Sequence, residues 1–168
     1  MSRAGSMELF ADAKYPGIVQ ECAAAMEAIF PTKRAHVYRR HDCACLEISM
    51  YARHWLCLFP QHGQGRKHLR EIKLALWQEA IVEHKRRPFV RGLIHSDGCR
   101  IIATEKQAGR IRRAPRYLFT NLSQDILGLF CESCDALGIR WTRPNFKTVA
   151  IYRLASVALM DKFVGPKL

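Results

Sequence analysis

Between residues 16 and 30 apolar positions recur every three to four residues. Ile18, Cys22, Met26 and Ile29 share one face, and Pro16 stands at the start. That period predicts a helix. Two strands around a short turn are predicted at 34–41 and 44–50, and a short helix at 52–59. A Gly-containing loop covers 60–67, and another helix 74–84. The second half opens on a short helix at 88–97. A strand at 99–104, a basic loop and a strand at 115–121 follow. Ser123 is placed to cap a helix running to about Leu137, with Gly138 as its stop. Strands at 139–143 and 147–153 flank Pro144 and Asn145, a turn pair. A last helix covers 154–163.

The order strand–helix–strand–strand–helix therefore occurs twice, with 8–59 matching 118–163 element by element. Gly17 and Ile18 stand opposite Asp125 and Ile126, and Phe59 opposite Phe163. Such a repeat points to one fold built twice. The second copy has an extra helix and strand at its front, 88–104, which the first lacks. In the second copy, alternation groups Cys99, Ile101 and Ala103 with Tyr117, Phe119, Ile139, Trp141, Val149 and Ile151. Those positions are expected to face the helices. The opposite faces carry Arg100 and Thr104, Arg116 and Thr120, Arg140 and Thr142, and Thr148 and Tyr152. An antiparallel sheet with Arg and Thr on its uncovered side can lie against DNA, where Arg pairs with guanine. An ordinary solvated face has the same composition.

Charge adds weight to the first of these. Residues 1–85 hold 12 Lys and Arg against 9 Asp and Glu, a net +3; residues 86–168 hold 15 against 6, a net +9. The densest stretch contains Arg100, Lys106, Arg110, Arg112, Arg113 and Arg116, with only Glu105 opposing. Basic excess on one half suits a polyanion, because each neutralised phosphate releases counterions. No apolar run approaches the roughly 20 residues of a membrane-spanning helix, and the first residues lack the apolar core of a signal peptide. Seven cysteines without a secretory context are expected to be reduced and intracellular. The chain length suits one domain, or one fold made of two repeats.

Residues 90–98 read VRGLIHSDG. Gly92 and Ser96, four apart, form a small-residue stripe that lets a second helix approach closely. Asp97 then falls at the helix end, with Gly98 as the stop. Two such helices side by side would pair two carboxylates, which need a cation between them, and Mg²⁺ is the natural occupant. This stretch resembles the signature of the LAGLIDADG homing endonucleases at Gly92, Leu93, Ile94, Asp97 and Gly98, with Val90 a conservative change. Arg91, His95 and Ser96 depart from it.

The resemblance implies an α+β fold, with an antiparallel saddle-shaped sheet and helices on one face. It divides the chain into a truncated first repeat at 1–63 without a motif helix, a linker and helix at 64–87, and a complete repeat at 88–168. It implies site-specific, Mg²⁺-dependent hydrolysis of double-stranded DNA, with Asp97 as metal ligand and catalytic residue. The DNA-binding positions would be Arg100, Thr104, Arg110, Arg112, Arg113, Arg116, Thr120, Arg140, Thr142 and Lys147. The family needs two motif helices and this chain has one, so a homodimer through 88–97 is expected. An exposed stripe would leave Val90, Leu93 and Ile94 in water without such a mate. The resemblance extends to bacterial relatives, sporulation regulators among them, that bind DNA without cutting. A DNA-binding transcriptional regulator on the same fold is the alternative. The expected location is bacterial cytoplasm, at the nucleoid.

Other motifs add little. Cys131 and Cys134 form a Cys-x-x-Cys pair, half a zinc set, but lie within a predicted helix, and no second such pair or spaced His pair completes it. Cys43, Cys45, His54 and Cys57 match no common finger spacing. Trp55, Trp77 and Trp141 fall at packing positions. There is no Walker loop, dinucleotide fingerprint or nucleophile elbow.

Overall fold

The protein is described by a computed structural model covering residues 5–41, 44–107 and 110–168; side chains at 67, 105–107, 110 and 112 lie outside the description. It forms two compact units, residues 1–62 with 166–168, and residues 63–165.

The first unit contains strand β1 (Ser6–Asp12), helix α1 (Pro16–Ile29), strands β2 (His36–Arg39) and β3 (Cys45–Tyr51), and the one-turn helix α2 (Trp55–Leu58). Its antiparallel sheet has the order β1-β3-β2. Val19 and Met26 of α1 pack on Ile48, Met50, Ala52 and Trp55. Trp55 is anchored through its indole N–H, which donates to the Met50 carbonyl at 3.0 Å. Burial without that partner would cost about 1–3 kcal/mol. The C-terminus returns here: Ile18 N–H donates to the Leu168 carbonyl at 3.1 Å. A Cβ on Gly17 would come within 2.9 Å of that oxygen, so this close approach requires glycine.

The second unit contains helices α3 (Leu76–His84) and α4 (Arg86–Asp97), strands β4 (Gly98–Gln107) and β5 (Arg110–Thr120), and helix α5 (Gln124–Ala136). Strands β6 (Thr142–Asn145) and β7 (Thr148–Ile151) and helix α6 (Leu154–Asp161) complete it. The antiparallel sheet runs β4-β5-β7-β6. Its core joins Val90 and Ile94 of α4 to Tyr117, Phe119, Val149 and Ile151 of the sheet, Leu127 and Phe130 of α5, and Val157 and Met160 of α6. Phe119 and Phe130 stack with centroids 4.5 Å apart. Each such fully buried side chain stabilises the unit by about 1.5–3 kcal/mol. Helices thus cover one face of the sheet and leave the other open.

The α5 ends match the sequence reading. Ser123 Oγ accepts the Ile126 N–H, and Gly138 takes φ +72°, the left-handed conformation in which glycine stops a helix. Five expectations are corrected here. The basic loop is largely strand: β4 and β5 pair continuously from Gly98–Phe119 to Gln107–Arg110. Pro115, which reads as a strand start, lies inside β5 where β4 is its one neighbour, and a missing N–H is tolerated there. The strand at 139–143 moves to 142–145. Ile139 N–H closes the helix end on the Cys134 carbonyl, and Arg140 N–H donates to Ser156 Oγ, so those residues are spent on connections. Pro144 and Asn145 end β6, an edge strand that accepts proline, and the turn is Phe146–Lys147. Finally, Gly98 is extended, with φ −112°, and is no left-handed cap. It is required by space, since a Cβ would lie 2.9 Å from Ile94 Cα and 3.0 Å from the Leu118 carbonyl.

Candidate nucleic-acid interface and motif-helix end

Pairing register, and not apolar content, decides which face of β4 each residue takes. Tyr117 and Phe119 are buried under the helices. Gly98 and Arg100 pair with Phe119 and Tyr117, so they belong to the helix side; Cys99 and Ile101 pair with Leu118 and Arg116, so they belong to the open side. The phase expected for β4 is therefore shifted by one residue. Arg100 and Thr104 leave the open face, and Cys99, Ile101 and Ala103 join it. Arg113 pairs with Thr104 and goes with it to the helix side.

Arg100 has its own partner there. It grips Asp161 of α6 with two bonds, Nε to Oδ1 at 2.8 Å and an Nη to Oδ2 at 2.9 Å. Tyr117 donates its hydroxyl to the same Oδ1 at 2.7 Å. The Arg100 guanidinium holds the Asp161 carboxyl below its usual value, against the opposing effect of burial. Burial, then the bond to Asp161, push the Tyr117 phenol up.

The open face keeps Arg116, Thr120, Thr148 and Thr142, in register across β5, β7 and β6. Arg116 lies over the Tyr152 ring, its guanidinium carbon 4.8 Å from the centroid, which orients the fork. Thr120 and Thr148 hydroxyls are 3.2 Å apart. Lys147 sits exposed in the β6–β7 turn, and Arg140 is exposed in the α5–β6 connection, outside the sheet. Arg110 and Arg112 are placed in β5 opposite Gln107 and Glu105; their side chains lie outside the described residues.

At the motif helix, Val90 and Ile94 are fully buried in the unit's own core, and Leu93 packs against the same cluster. The expectation that all three would be left in water is corrected: α5 and β5 cover them. The stripe itself is open. Gly92 and Ser96 are exposed, nothing lies within 4 Å of a Cβ at Gly92, and Ser96 Oγ donates to the Leu93 carbonyl at 2.9 Å. Asp97 ends α4 exposed, immediately before β4. Its Oδ2 accepts from Asn121 Nδ2 at 3.1 Å. Asn121 and Asp161 escape a reading by motif, whereas alternation places Tyr152 on the open face. For Asn121 the available sign was an Asn two residues before a capping Ser.

Among the described residues no group of three or more His, Cys, Asp or Glu is placed to hold a metal. The α5 thiols pack with the core, Cys134 buried and Cys131 against the same cluster, and burial pushes both thiols up, Cys134 to about 12 and Cys131 to about 11. Cys43 lies outside the described residues. Among those residues no helix is long and apolar enough to cross a membrane.

No protein-family model and no curated protein sequence matches the chain. Solved structures do match. The meganuclease I-SmaMI, bound to uncleavable DNA with a TTGT central four, superposes at TM-score 0.58 with 8% identity over 95% of this chain and 72% of that one. The LAGLIDADG meganuclease I-AabMI, bound to uncleaved DNA, does so at TM-score 0.52 with 9% identity, over 95% and 75%. An archaeal intron-encoded homing endonuclease complexed with DNA shares 18% identity at TM-score 0.39, and this chain spans 55% of its length. At such identities the likeness to the two meganucleases shows the fold. The protein is an α+β chain of the LAGLIDADG homing-endonuclease fold, with antiparallel sheets. Fold alone does not settle function.

Proposed function

We propose that the protein binds double-stranded DNA on the open face of the β4–β7 sheet and is a site-specific, metal-dependent DNA endonuclease of LAGLIDADG type. The observation that carries this reading is the junction at Asp97. An exposed carboxylate ends the motif helix and leads directly into the sheet that bears Arg116, Thr120, Thr142 and Thr148. The superposed I-SmaMI and I-AabMI structures were both solved with DNA, which supports the same partner here.

The residues present fit one half of a Mg²⁺ site. Mg²⁺ is held by one or two carboxylates together with substrate phosphates, and Asp97 supplies one hard oxygen ligand. When bound, such an ion supplies an activated water and neutralises the leaving oxygen. The chain's own residues do the rest of the work described here. Arg116 and Lys147 attract phosphate, Thr120 and Thr148 offer hydroxyls, and the open Gly92/Ser96 stripe accepts a second motif helix. An isologous contact there would pair two Asp97 carboxylates. The unit 1–63 acts as a partial repeat and 88–168 as the complete one.

The second reading, a DNA-binding regulator that does not cut, draws on the single motif acid per chain. One experiment separates them. A plasmid library is offered to wild type and Asp97→Asn with Mg²⁺ and with Mn²⁺, beside a binding assay on both. The endonuclease cuts as wild type and loses cutting in Asp97→Asn, with binding kept or tightened, because a negative charge beside phosphate is gone. Specific binding without cutting by wild type with either metal selects the regulator.

A further inference from the structure

Asn121 stands one residue beyond β5, with 6% of its surface exposed. Its backbone N–H donates to the Lys147 carbonyl at 2.9 Å. Its side-chain Oδ1 accepts the Ser123 N–H at 2.9 Å. That bond decides which end of the amide points where, since only the carbonyl oxygen can accept. Nδ2 is therefore the end turned to Asp97, and it donates to Oδ2 at 3.1 Å. One buried side chain thus ties the end of the motif helix to the corner between β5 and α5. We infer that Asn121 is a positioning residue for Asp97: by holding one carboxylate oxygen it sets the rotation at which the group meets a cation. This rests on the reading of Asp97 as the cation ligand.

The first unit supplies an internal control. Asp12 ends β1, and its Oδ1 accepts the Lys14 N–H at 3.0 Å in the same two-residue turn. An Asp therefore makes this turn as an Asn does. At position 121 an Asp would keep the turn but could not donate to Asp97, and it would set two carboxylates face to face. A side chain that serves only the turn is indifferent to that exchange; one that positions Asp97 is not.

The test is Mn²⁺ binding by the full chain with a fixed concentration of duplex DNA, which supplies the phosphates, read from the free-ion EPR signal against DNA alone. The chains are wild type, Asn121→Ser, Asn121→Asp, Asp97→Asn and the two double variants, with thermal denaturation reporting the fold of each. Loss of a hydrogen-bond partner behind a metal ligand weakens binding by roughly 10- to 100-fold, and that is expected for Asn121→Ser. Asn121→Asp is expected to tighten Mn²⁺ binding by about tenfold, because a second anionic oxygen joins the ligand set. In the Asp97→Asn background both changes vanish. Wild-type affinity in both Asn121 variants, with Asp97→Asn deficient, overturns the positioning role and leaves the reading of Asp97 standing. Equal binding by wild type and Asp97→Asn overturns that reading, and this inference with it. If Asn121→Ser fails to fold, Asn121→Asp decides, since it keeps the turn.

Discussion

Arg100 shows how one partner overrides a neighbourhood. By composition it belongs to a run of arginines; by register it faces α6 and closes on Asp161 with two bonds. The side chains are 41% and 38% exposed, so water screens the pair and it contributes about 1 kcal/mol or less. Its pH dependence has a definite sign. The folded carboxyl of Asp161 sits below its unfolded value, so the contribution is present above the ordinary Asp pKa and is lost as pH falls through the folded one. Asp161→Asn is therefore expected to lower stability by about 1 kcal/mol or less near neutral pH. The gap to wild type should close in acid, below about pH 4. Urea denaturation of both proteins at neutral pH and in acid checks this. A gap that widens in acid would mean the carboxyl gains nothing from Arg100.

Along the motif helix two glycines carry opposite demands. At Gly92 a Cβ meets nothing within 4 Å, so Gly92→Ala removes backbone freedom at no steric cost. It is expected to stabilise the chain by up to about 1 kcal/mol. At Gly98 a Cβ would press on Ile94 Cα and the Leu118 carbonyl, backbone groups that cannot step aside. Gly98→Ala is expected to destabilise by about 1–3 kcal/mol, as overpacking does. Thermal melts of the two variants should move in opposite directions, and a matching shift in both would sink the argument. This helix also marks what the sequence could disclose. Its span and the apolar spacing of Val90 and Ile94, like the Ser123 cap of α5, follow from period and capping chemistry, which are local. The reason for Gly98 and the face of Arg100 were not legible, because both depend on the strand paired alongside, and register is a long-range property. The basic stretch read as loop for the same cause: charged residues in an edge hairpin lack the apolar alternation that betrays a half-buried strand. Of the site, Asp97 could be placed from its motif, whereas Asn121 is linked to it only by a contact across 24 residues.

For the whole molecule the question is which positive charges are available to a polyanion. Net charge alone treats Arg100 and Arg116 as equals. The structure places them differently: Arg100 is held by Asp161 on the helix side, whereas Arg116 lies on the open face over Tyr152, in register with Ile101. The open faces of the two units also differ. In the first, Phe10, Glu47 and Tyr38 form one cross-strand row, with Glu47 buried and bonded by Tyr38 and Arg40. That row holds a carboxylate where a phosphate contact would need a donor. Electrostatic grip should therefore come from the 86–168 half. Duplex affinity measured across a salt series gives the number of phosphates contacted, since each adds about 0.9 to the log–log slope. Arg116→Ala is expected to lower the slope by about 0.9 and weaken binding to all sequences alike. Arg100→Ala should leave the slope nearly unchanged, because an Arg100 held by Asp161 contacts no phosphate, although the bare Asp161 carboxylate it leaves weakens binding somewhat at every salt concentration. Joint replacement of Arg110 and Arg112, which share the register of Arg116, should flatten the slope further than Arg116→Ala alone, and adding Arg113, on the helix side, should add little. Equal loss of slope from Arg100→Ala and Arg116→Ala would mean that Asp161 releases its partner on binding; no salt dependence in wild type would remove nucleic acid as the partner.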